Sequence, residues 1–269
     1  MTICIGAICD EYKAAVVASD KMVTAWYPPI EFEHDTPKIE ELSDACVALT
    51  AGSALAHTEL FREVKSDLAI ISKPLVSLIT KSIKDSFVEQ RKNRVEEIYL
   101  KPKGMTLESF YKEYANSLPA EIVIGIDRQI EATEYDLEIL IVGLDNEGAH
   151  IHGVRDPGVS DCYDSLGYHA IGSGELHALS TFMLNNYTPE NSLNHAVYLV
   201  YEAKRNAEVS QGVGKSTDMC LITNEGIKYL SMDEMTKLGE IYEKKTKPER
   251  EEISQLVKNL PFGDGGNGI

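Results

Sequence analysis

The chain has 269 residues, of which 43% are hydrophobic and 26% are charged, so a packed core is expected rather than intrinsic disorder. The 43 Asp and Glu residues exceed the 26 Lys and Arg residues, which gives a net charge of −17. A field of this sign repels phosphate backbones and anionic lipids and so argues against nucleic acid or membranes as partners. No apolar run reaches the about 20 residues of a membrane span, and the N-terminus lacks a signal-peptide pattern. The sequence therefore favours a cytoplasmic protein.

The five cysteines are odd in number and widely spaced, and four of them fall in runs that predict strands. Neither a disulfide framework nor a paired metal-ligand spacing is present. We expect buried thiols in a reducing compartment, and we predict no cofactor. The cysteines are Cys4, Cys9, Cys46, Cys162 and Cys220.

The first fifty residues predict strands. Thr2–Cys9 and Lys13–Ser19 are apolar runs joined by a turn at Asp10–Tyr12, a pattern typical of a buried hairpin. The segment Thr36–Leu42 follows a pair of prolines, and Cys46–Thr50 predicts another strand that ends at a glycine.

The next ninety residues favour helices. Ser53 is a plausible N-cap for a helix through about Ser72, and a second helix is expected from about Leu75 to Tyr99. Leu107–Ser117 and Ala120–Glu134 also favour helix, although Ile122–Ile126 alone fits a strand. Residues from about 85 to 136 are therefore expected to form a helical insertion.

The second half returns to alternating strands and helices. Hairpin turns rather than crossovers join the predicted strands, which indicates antiparallel sheets with helices layered on the outside. The predicted strands are Leu137–Leu144, Ala149–Val154, Thr217–Thr223 and Ile227–Ser231, and the predicted helices run from Gly174 to about Asn185 and over Leu193–Glu208.

The last forty residues form a separate region. Met232–Phe262 is charge-dense with a helical pattern, and Pro248 predicts a division into two helices. The glycine-rich end, Gly263–Ile269, is expected to fray. We therefore divide the chain into a domain at 2–231 and a helical extension at 232–269, which serves either as a solvated appendage or as a subunit-docking arm.

Thr2 is the first residue with a possible catalytic role. Methionine aminopeptidase removes an initiator Met that precedes a small residue, so the mature chain is expected to begin at Thr2. Thr2 would then carry both a hydroxyl nucleophile and a free α-amine with an ordinary pKa of about 7.7–8.0, which suits a base at neutral pH. Many chains begin with Met-Thr, so this feature alone carries little weight.

Several ordered segments strengthen this interpretation. The chain resembles the proteasome β-subunit family of N-terminal-nucleophile (Ntn) hydrolases, which includes the bacterial HslV and Anbu types. The resemblance covers most of residues 2–231 and implies a four-layer αββα sandwich, an α+β fold with two antiparallel sheets between helix layers. The matching segments are the Thr2 strand, Val17–Lys21, Thr36–Ile39, Leu49–Ser53, Ile141–Asp145 with Gly148–Ile151, and Ala170–Gly174.

The resemblance also assigns the catalytic residues. Thr2 would be the nucleophile, Asp20 the acidic residue after the second strand and Lys38 the catalytic lysine. A lysine near the amine lowers the pKa of the amine and of the hydroxyl, and the carboxylate holds the ammonium in place. An ordinary salt bridge is the alternative explanation for Asp20 and Lys38.

Two further positions follow from the same resemblance. The backbone N–H of Gly52 would point at the developing oxyanion, and Ser173 would orient the terminal amine. A strand-to-helix turn explains Gly52 equally well, and a helix N-cap explains Ser173.

The supporting network departs from the family pattern. Active members carry an Asp followed three residues later by Ser and then Gly, whereas this chain has Asn206, with Ser210 displaced by one residue. Asn206 carries no charge, so support could come from Glu208, and Ser210 could still supply a hydroxyl.

By resemblance, the substrate-binding positions lie beside the catalytic segments. Thr24 would pair with an extended peptide backbone, and the small residues Thr50 and Ala54 suggest a roomy first pocket. The full set is Val23, Thr24, Thr36, Thr50 and Ala54.

One possible metal motif is set aside. His150 and His152 share a strand face and could bind a metal, but the sequence reveals no third ligand, so solvent-facing polar residues are the simpler interpretation. Asp164 is interpreted as part of a charged loop, and no metal is predicted.

The sequence thus predicts a threonine peptidase that hydrolyses peptides or unfolded proteins. Because family members enclose their sites inside rings, homo-oligomerisation is implied, and a regulatory ATPase is a possible partner. A ligase in which an amine intercepts the acyl-enzyme, and a catalytically inactive structural subunit, remain as alternatives.

Overall fold

The computed structural model of the chain describes residues 2–26, 29–35, 37–52 and 57–258. It divides into two compact units, Met1–Tyr229 and Leu230–Ile269. The predictions made for Thr36, Ser53 and Ala54, and for the glycine-rich end, lie outside the described residues. Across the part that is described, no helix combines the length and apolarity that crossing a membrane requires.

The strands of the first unit pair only in antiparallel fashion among the described residues. The strands are β1 (Cys4–Cys9), β2 (Ala14–Asp20), β3 (Met22–Trp26), β4 (Pro29–Glu33), β5 (Ile39–Ser43), β6 (Cys46–Gly52), β7 (Leu137–Asp145), β8 (Gly148–Arg155), β9 (Val159–Cys162), β10 (Tyr168–Ile171), β11 (Thr217–Thr223) and β12 (Gly226–Tyr229). One sheet has the order β10-β1-β2-β11-β12, a second has the order β5-β6-β7-β8-β9, and β3 and β4 form a separate hairpin. The predicted antiparallel α+β class is therefore confirmed.

Groups of helices alternate with groups of strands along the chain. A π-helical turn at Glu96–Leu100 and a 3-10 turn at Lys101–Lys103 continue the second helix, and another π-helical turn spans Phe110–Tyr114. The helices are α1 (His57–Leu68), α2 (Val76–Val95), α3 (Leu107–Ser109), α4 (Ala120–Glu131), α5 (Glu175–Leu184), α6 (Leu193–Ala207) and α7 (Met232–Lys258).

The two five-stranded sheets share one apolar core. Alternate residues of β1 and β2, such as Ile8 and Val17, meet Leu140 and Ile151 of the opposite sheet, and all four are completely buried. Full burial of each aliphatic side chain contributes roughly 1.5–3 kcal/mol. The sheets approach so closely that a Cβ on Gly6 would lie 2.6 Å from the Val142 side chain.

Helices cover the outer face of each sheet. On α1, Leu60 and Val64 are four residues apart and form an apolar stripe. Together with Ile79 and Ile83 of α2, they pack against the residues of β7 that point away from the shared core. The α6 helix packs against β1 and β2, and α5 packs against α6 and β10.

The end of α2 and the helical segments between it and β7 share a separate small core, formed by residues including Val95, Leu100, Phe110 and Ile126. The stretch Ile122–Ile126, which fits a strand in isolation, belongs to helix α4. Helical spacing decides this outcome, because Ile126 and Ile130 are buried on one face whereas Ile122 and Ile124 are about half exposed.

Two local expectations differ from the structure. The predicted break at Pro248 is wrong, because α7 continues from Met232 to Lys258. A proline removes one N–H donor from a helix, and the turns on either side of it here remain helical.

The β3–β4 hairpin was not predicted, because the prolines at 28 and 29 indicate a strand boundary rather than a connection within a hairpin.

His169 on β10 supplies a pH-dependent contribution to stability. Its ring stacks on Tyr163 with 3.6 Å between ring centroids and 8° between ring planes. Burial lowers the pKa of His169 from 6.5 to about 4; the nearby Arg155 adds to this shift and Asp161 opposes it. Between these two values the unfolded chain binds a proton that the folded chain does not bind, so folding weakens as the pH falls.

We therefore expect the free energy of unfolding to decrease by on the order of 1–2 kcal/mol between about pH 6.5 and about pH 4 because of this residue, allowing for its partial exposure. Urea unfolding of the wild-type chain and of His169→Gln across this range measures the effect. The variant should lose less stability on acidification. An equal loss in both proteins would contradict the assignment.

Candidate active site

Three segments bring Thr2, Asp20 and Lys38 together. Thr2 precedes β1 and Asp20 ends β2, and the β1–β2 register, in which Cys4 pairs with Ser19, places both residues at the same edge of the sheet. Lys38 immediately precedes β5 of the second sheet. The predicted catalytic trio is thus assembled where the two sheets meet.

The three side chains are in direct contact. The Thr2 hydroxyl donates a hydrogen bond to Oδ1 of Asp20, and Nζ of Lys38 donates to the Thr2 hydroxyl oxygen. Nζ of Lys38 also lies 2.7 Å from Oδ1 of Asp20. A cation against a hydroxyl oxygen stabilises the alkoxide and thereby favours loss of the hydroxyl proton.

Asp20 is completely buried, so its carboxylate depends on partners inside the protein. Besides Lys38, it accepts backbone hydrogen bonds from Ile3 at 3.1 Å, Met22 at 3.2 Å and Gly214 at 2.8 Å. These donors come from three different segments. Asp20 therefore fixes the relative positions of the start of β1, the start of β3 and the loop before β11.

Ser173 lies beside the backbone of Thr2. The backbone N–H of Thr2 donates to Oγ of Ser173 at 3.2 Å, and that oxygen also lies 3.3 Å from the carbonyl oxygen of Thr2 and 3.1 Å from that of Gln211. The predicted proximity of Ser173 to the backbone nitrogen of Thr2 is present. In the unprocessed chain this nitrogen is an amide and has no basic lone pair.

Gly172 permits this close approach. Its φ is +96°, and a Cβ would lie 2.5 Å from the carbonyl oxygen of Thr2. Gly52 is constrained differently: its φ is +104°, and a Cβ would lie 2.3 Å from the carbonyl oxygen of Asp136, because β7 passes alongside. The positive φ and the close approach of neighbouring backbone thus explain why glycine occupies both positions. The oxyanion role of Gly52 stays a prediction.

The predicted supporting residues Asn206 and Ser210 lie at the end of α6 and shortly after it, and their supporting role stays a prediction. Asn206 donates from Nδ2 to the hydroxyl of Thr181 on α5 at 2.9 Å, and the backbone N–H of Ser210 donates to the carbonyl of Ala207 at 3.0 Å. Glu208 accepts a 2.7 Å hydrogen bond from Lys204. The hydrogen bonds of Ser173 described above join it to the backbone of Thr2 and Gln211.

Lys204, for which the sequence predicts no role, holds the loop before β11. Lys204 is completely buried and donates to Glu208 and to the carbonyl of Lys215, both at 2.7 Å. Burial lowers the pKa of Lys204, and the nearby Glu208 opposes that shift. The i,i+4 spacing of Lys204 and Glu208 was a visible signal, but such pairs usually lie on exposed helix faces.

Glu33 of β4 holds the same loop from another direction. Its carboxylate accepts from the backbone N–H groups of Lys215 at 2.7 Å and Ser216 at 2.9 Å, and from the Ser216 hydroxyl. These hydrogen bonds lower the pKa of Glu33, and the one from the Ser216 side chain makes the largest contribution. Lys204 and Glu33 together position Gly214, whose N–H binds Asp20.

The proposed substrate-binding positions are less well defined. Val23 and Thr24 lie on β3, where their backbones pair with Phe32 and Glu31. Thr50 on β6 is 8% exposed, and its carbonyl accepts a hydrogen bond from the thiol of Cys4 at 3.4 Å. Burial raises the pKa of Cys4 to about 12, so this thiol stays protonated. The role of these residues in binding stays a prediction.

No protein-family model matches the chain, and a search of curated proteins finds no match.

The close approach of Gly172 to Thr2 predicts the effect of a small substitution. Gly172→Ala should lower the free energy of unfolding by about 2 kcal/mol or more, because it adds a clash to the strain of a positive φ. Gly104→Ala is the matched control, since Gly104 has a φ of +75° but nothing within 4 Å of the added Cβ. The control should lose about 1 kcal/mol. If urea unfolding shows that both variants lose the same free energy of unfolding, the carbonyl of Thr2 does not restrict the size of the residue at position 172.

Proposed function

We propose that the chain is a proteasome-like threonine hydrolase that cleaves peptide bonds with Thr2 as its N-terminal nucleophile. The contact of the Thr2 hydroxyl with both Asp20 and Lys38 is the observation that carries the proposal. The proposed architecture is the four-layer αββα Ntn sandwich. The two sheets around a shared core, with α1 and α2 outside one sheet and α5 and α6 beside the other, support that assignment.

The mechanism requires cleavage of the peptide bond that precedes Thr2. Thr2 is only 2% exposed, and its nitrogen is an amide until that bond is broken. Cleavage converts the amide into a primary amine, which is a base of suitable strength. Nucleophile and base then reside on one residue, and Ser173 is placed to hydrogen-bond the new amine.

The reaction proceeds through an ester. The amine, directly or through a water molecule, accepts the proton of the Thr2 hydroxyl while Oγ1 attacks the carbonyl carbon of the substrate. When the C–N bond of the substrate breaks, the leaving nitrogen receives that proton and an acyl-enzyme remains. Water then attacks the ester carbonyl, which releases the carboxylic acid and restores the hydroxyl.

Lys38 and Asp20 have complementary roles in this scheme. The ammonium of Lys38 lowers the pKa of the Thr2 hydroxyl and of the new amine. Asp20 holds Lys38 and orients Thr2. The N–H of Gly52 is the proposed donor to the oxyanion, where one such donor contributes about 3–4 kcal/mol of transition-state stabilisation in comparable sites.

The proposed substrates are peptides or unfolded proteins, and the proposed assembly is a homo-oligomer, with a regulatory ATPase as a possible partner. Peptide backbone could pair with the β3 segment at Thr24 by strand addition. Val23, Thr36, Thr50 and Ala54 are the other proposed substrate-binding residues, and the small Thr50 and Ala54 are the two proposed at the first pocket.

Substitution of Thr2 tests the proposal directly. Thr2→Ala should reduce hydrolysis of fluorogenic peptides by at least about 1000-fold, because it removes the nucleophile, whereas Thr2→Ser should retain part of the activity. Ser43→Ala on β5 is a control that changes a hydroxyl outside the site and should leave the rate unchanged. Undiminished hydrolysis by Thr2→Ala would contradict the proposal. Addition of peptide amines to the active protein then distinguishes ligation from hydrolysis.

The pH dependence tests the role of the amine. Only the neutral amine accepts a proton, so hydrolysis should decline as the pH falls through the pKa of the amine, which Lys38 holds below its ordinary value of about 7.7–8.0. Lys38→Met removes the positive charge and should move this decline upward by about one pH unit. We would measure kcat/KM from about pH 5 to about pH 9. A decline at the same pH in both proteins would exclude coupling between the amine and Lys38.

A further inference from the structure

A group of histidine and aspartate side chains lies on the face of the β5–β9 sheet that is turned away from the shared core. Ala149 and Ile151 of β8 point into the core between the sheets, so the alternating residues His150 and His152 occupy the other face. Their rings stack with 6.3 Å between centroids and an interplanar angle of 28°. Asp164, which follows β9, completes the group.

Asp164 lies beside His150, a proximity that the sequence did not reveal. Its Oδ2 lies 2.7 Å from Nδ1 of His150, and its Oδ1 accepts the backbone N–H of Ile151 at 2.7 Å. The segment after β9 continues alongside β8, which brings Asp164 beside a histidine fourteen positions earlier. The carboxylate is thereby oriented with one oxygen fixed and the other directed at the histidine.

We propose that His150, His152 and Asp164 form a binding site for a zinc-class divalent cation. One ligand atom from each residue lies within 4.8 Å of the other two. Ligands around tetrahedral zinc are about 3.4 Å apart, as bonds of about 2.0–2.1 Å require, so small side-chain rotations bring the three atoms to coordination distance. Imidazole nitrogens combined with one carboxylate suit zinc and neighbouring transition metals better than calcium or magnesium.

The surroundings of His150 support metal binding through Nδ1. Its other ring nitrogen, Nε2, lies 3.2 Å from Oδ1 of Asp145 at the end of β7. Histidine ligands in metal sites almost always donate their second N–H to such an acceptor, which fixes the tautomer and the ring orientation. A cation between Nδ1 and Asp164 would leave this outer hydrogen bond intact.

Asp145 is itself held in place. Its Oδ1 accepts the backbone N–H of Glu147, and its Oδ2 accepts that of Val76 at the start of α2, both at 2.9 Å. The outer acceptor is therefore fixed by the β7–β8 turn and by a helix. A bound cation would tie β8 to the segment after β9 and, through Asp145, to α2, with one coordination position left for water.

The proposed cation site does not depend on the chemistry of Thr2, because His150 and His152 occupy the face of the sheet that is turned away from the shared core. The site would stabilise the fold by binding the folded chain in preference to the unfolded one. An ordinary ion pair of a protonated His150 with Asp145 and Asp164 is the competing explanation, and it requires no metal.

Titration of the full chain, produced without a polyhistidine tag and freed of metal with a chelator, tests the site. Calorimetry with Zn²⁺ should show one equivalent bound, and Co²⁺ should give the intense visible absorption of tetrahedral coordination. His152→Ala and Asp164→Ala should each weaken Zn²⁺ binding at least 100-fold, and Asp145→Asn should weaken it about 10–100-fold. His195→Ala changes an exposed histidine of α6 and should bind as the wild type does.

Circular dichroism of each metal-free variant shows whether it is folded. If His152→Ala or Asp164→Ala fails to fold, Asp145→Asn still tests the site, because asparagine retains an acceptor for the start of α2. Absence of a stoichiometric binding event in the wild type would overturn the proposal. So would equal Zn²⁺ affinity in the wild type and in folded His152→Ala or Asp164→Ala.

Discussion

The candidate active site depends on one physical constraint, the burial of the Asp20 carboxylate. A completely buried negative charge is tolerated only when positive charge and hydrogen-bond donors surround it. Lys38 supplies the charge, and the N–H groups of Ile3, Met22 and Gly214 supply the donors. The requirements of this carboxylate therefore hold four chain segments in place around the Thr2 hydroxyl.

The constraint extends to residues that do not touch Thr2. Gly214 can donate to Asp20 only while its loop is held, and the loop is fixed by Lys204 from α6 and by Glu33 from β4. Lys204 brings a second buried charge, which Glu208 compensates. Although Asn206 is uncharged, the acidic Glu208 directly after the end of α6 thus supports the loop that binds Asp20, because it compensates the charge of Lys204.

The sequence predicts the regular parts of the fold well because their signals are local. Apolar runs locate β1 and β2, and helical spacing locates α1 and α2. Leu60, Val64 and Leu68 follow one another at intervals of four residues, and this spacing shows which face of α1 is buried. Contacts between distant segments leave no such signal, so the burial of Lys204 and the approach of Asp164 to His150 were not predictable. The trio of Thr2, Asp20 and Lys38 was expected only through a family resemblance, since ordinary salt bridges have the same residue types.

The proposed function requires Thr2 to act as an N-terminal nucleophile that its own amine activates. Mass spectrometry of the purified protein after incubation with a peptide that carries an electrophilic carbonyl analogue measures this most directly, because it identifies both the first residue and the site of the covalent adduct. If Thr2 is the N-terminal nucleophile, the purified chain begins at Thr2 and carries the adduct on that residue. A chain that retains the residue before Thr2, or an adduct formed at another side chain, would contradict it.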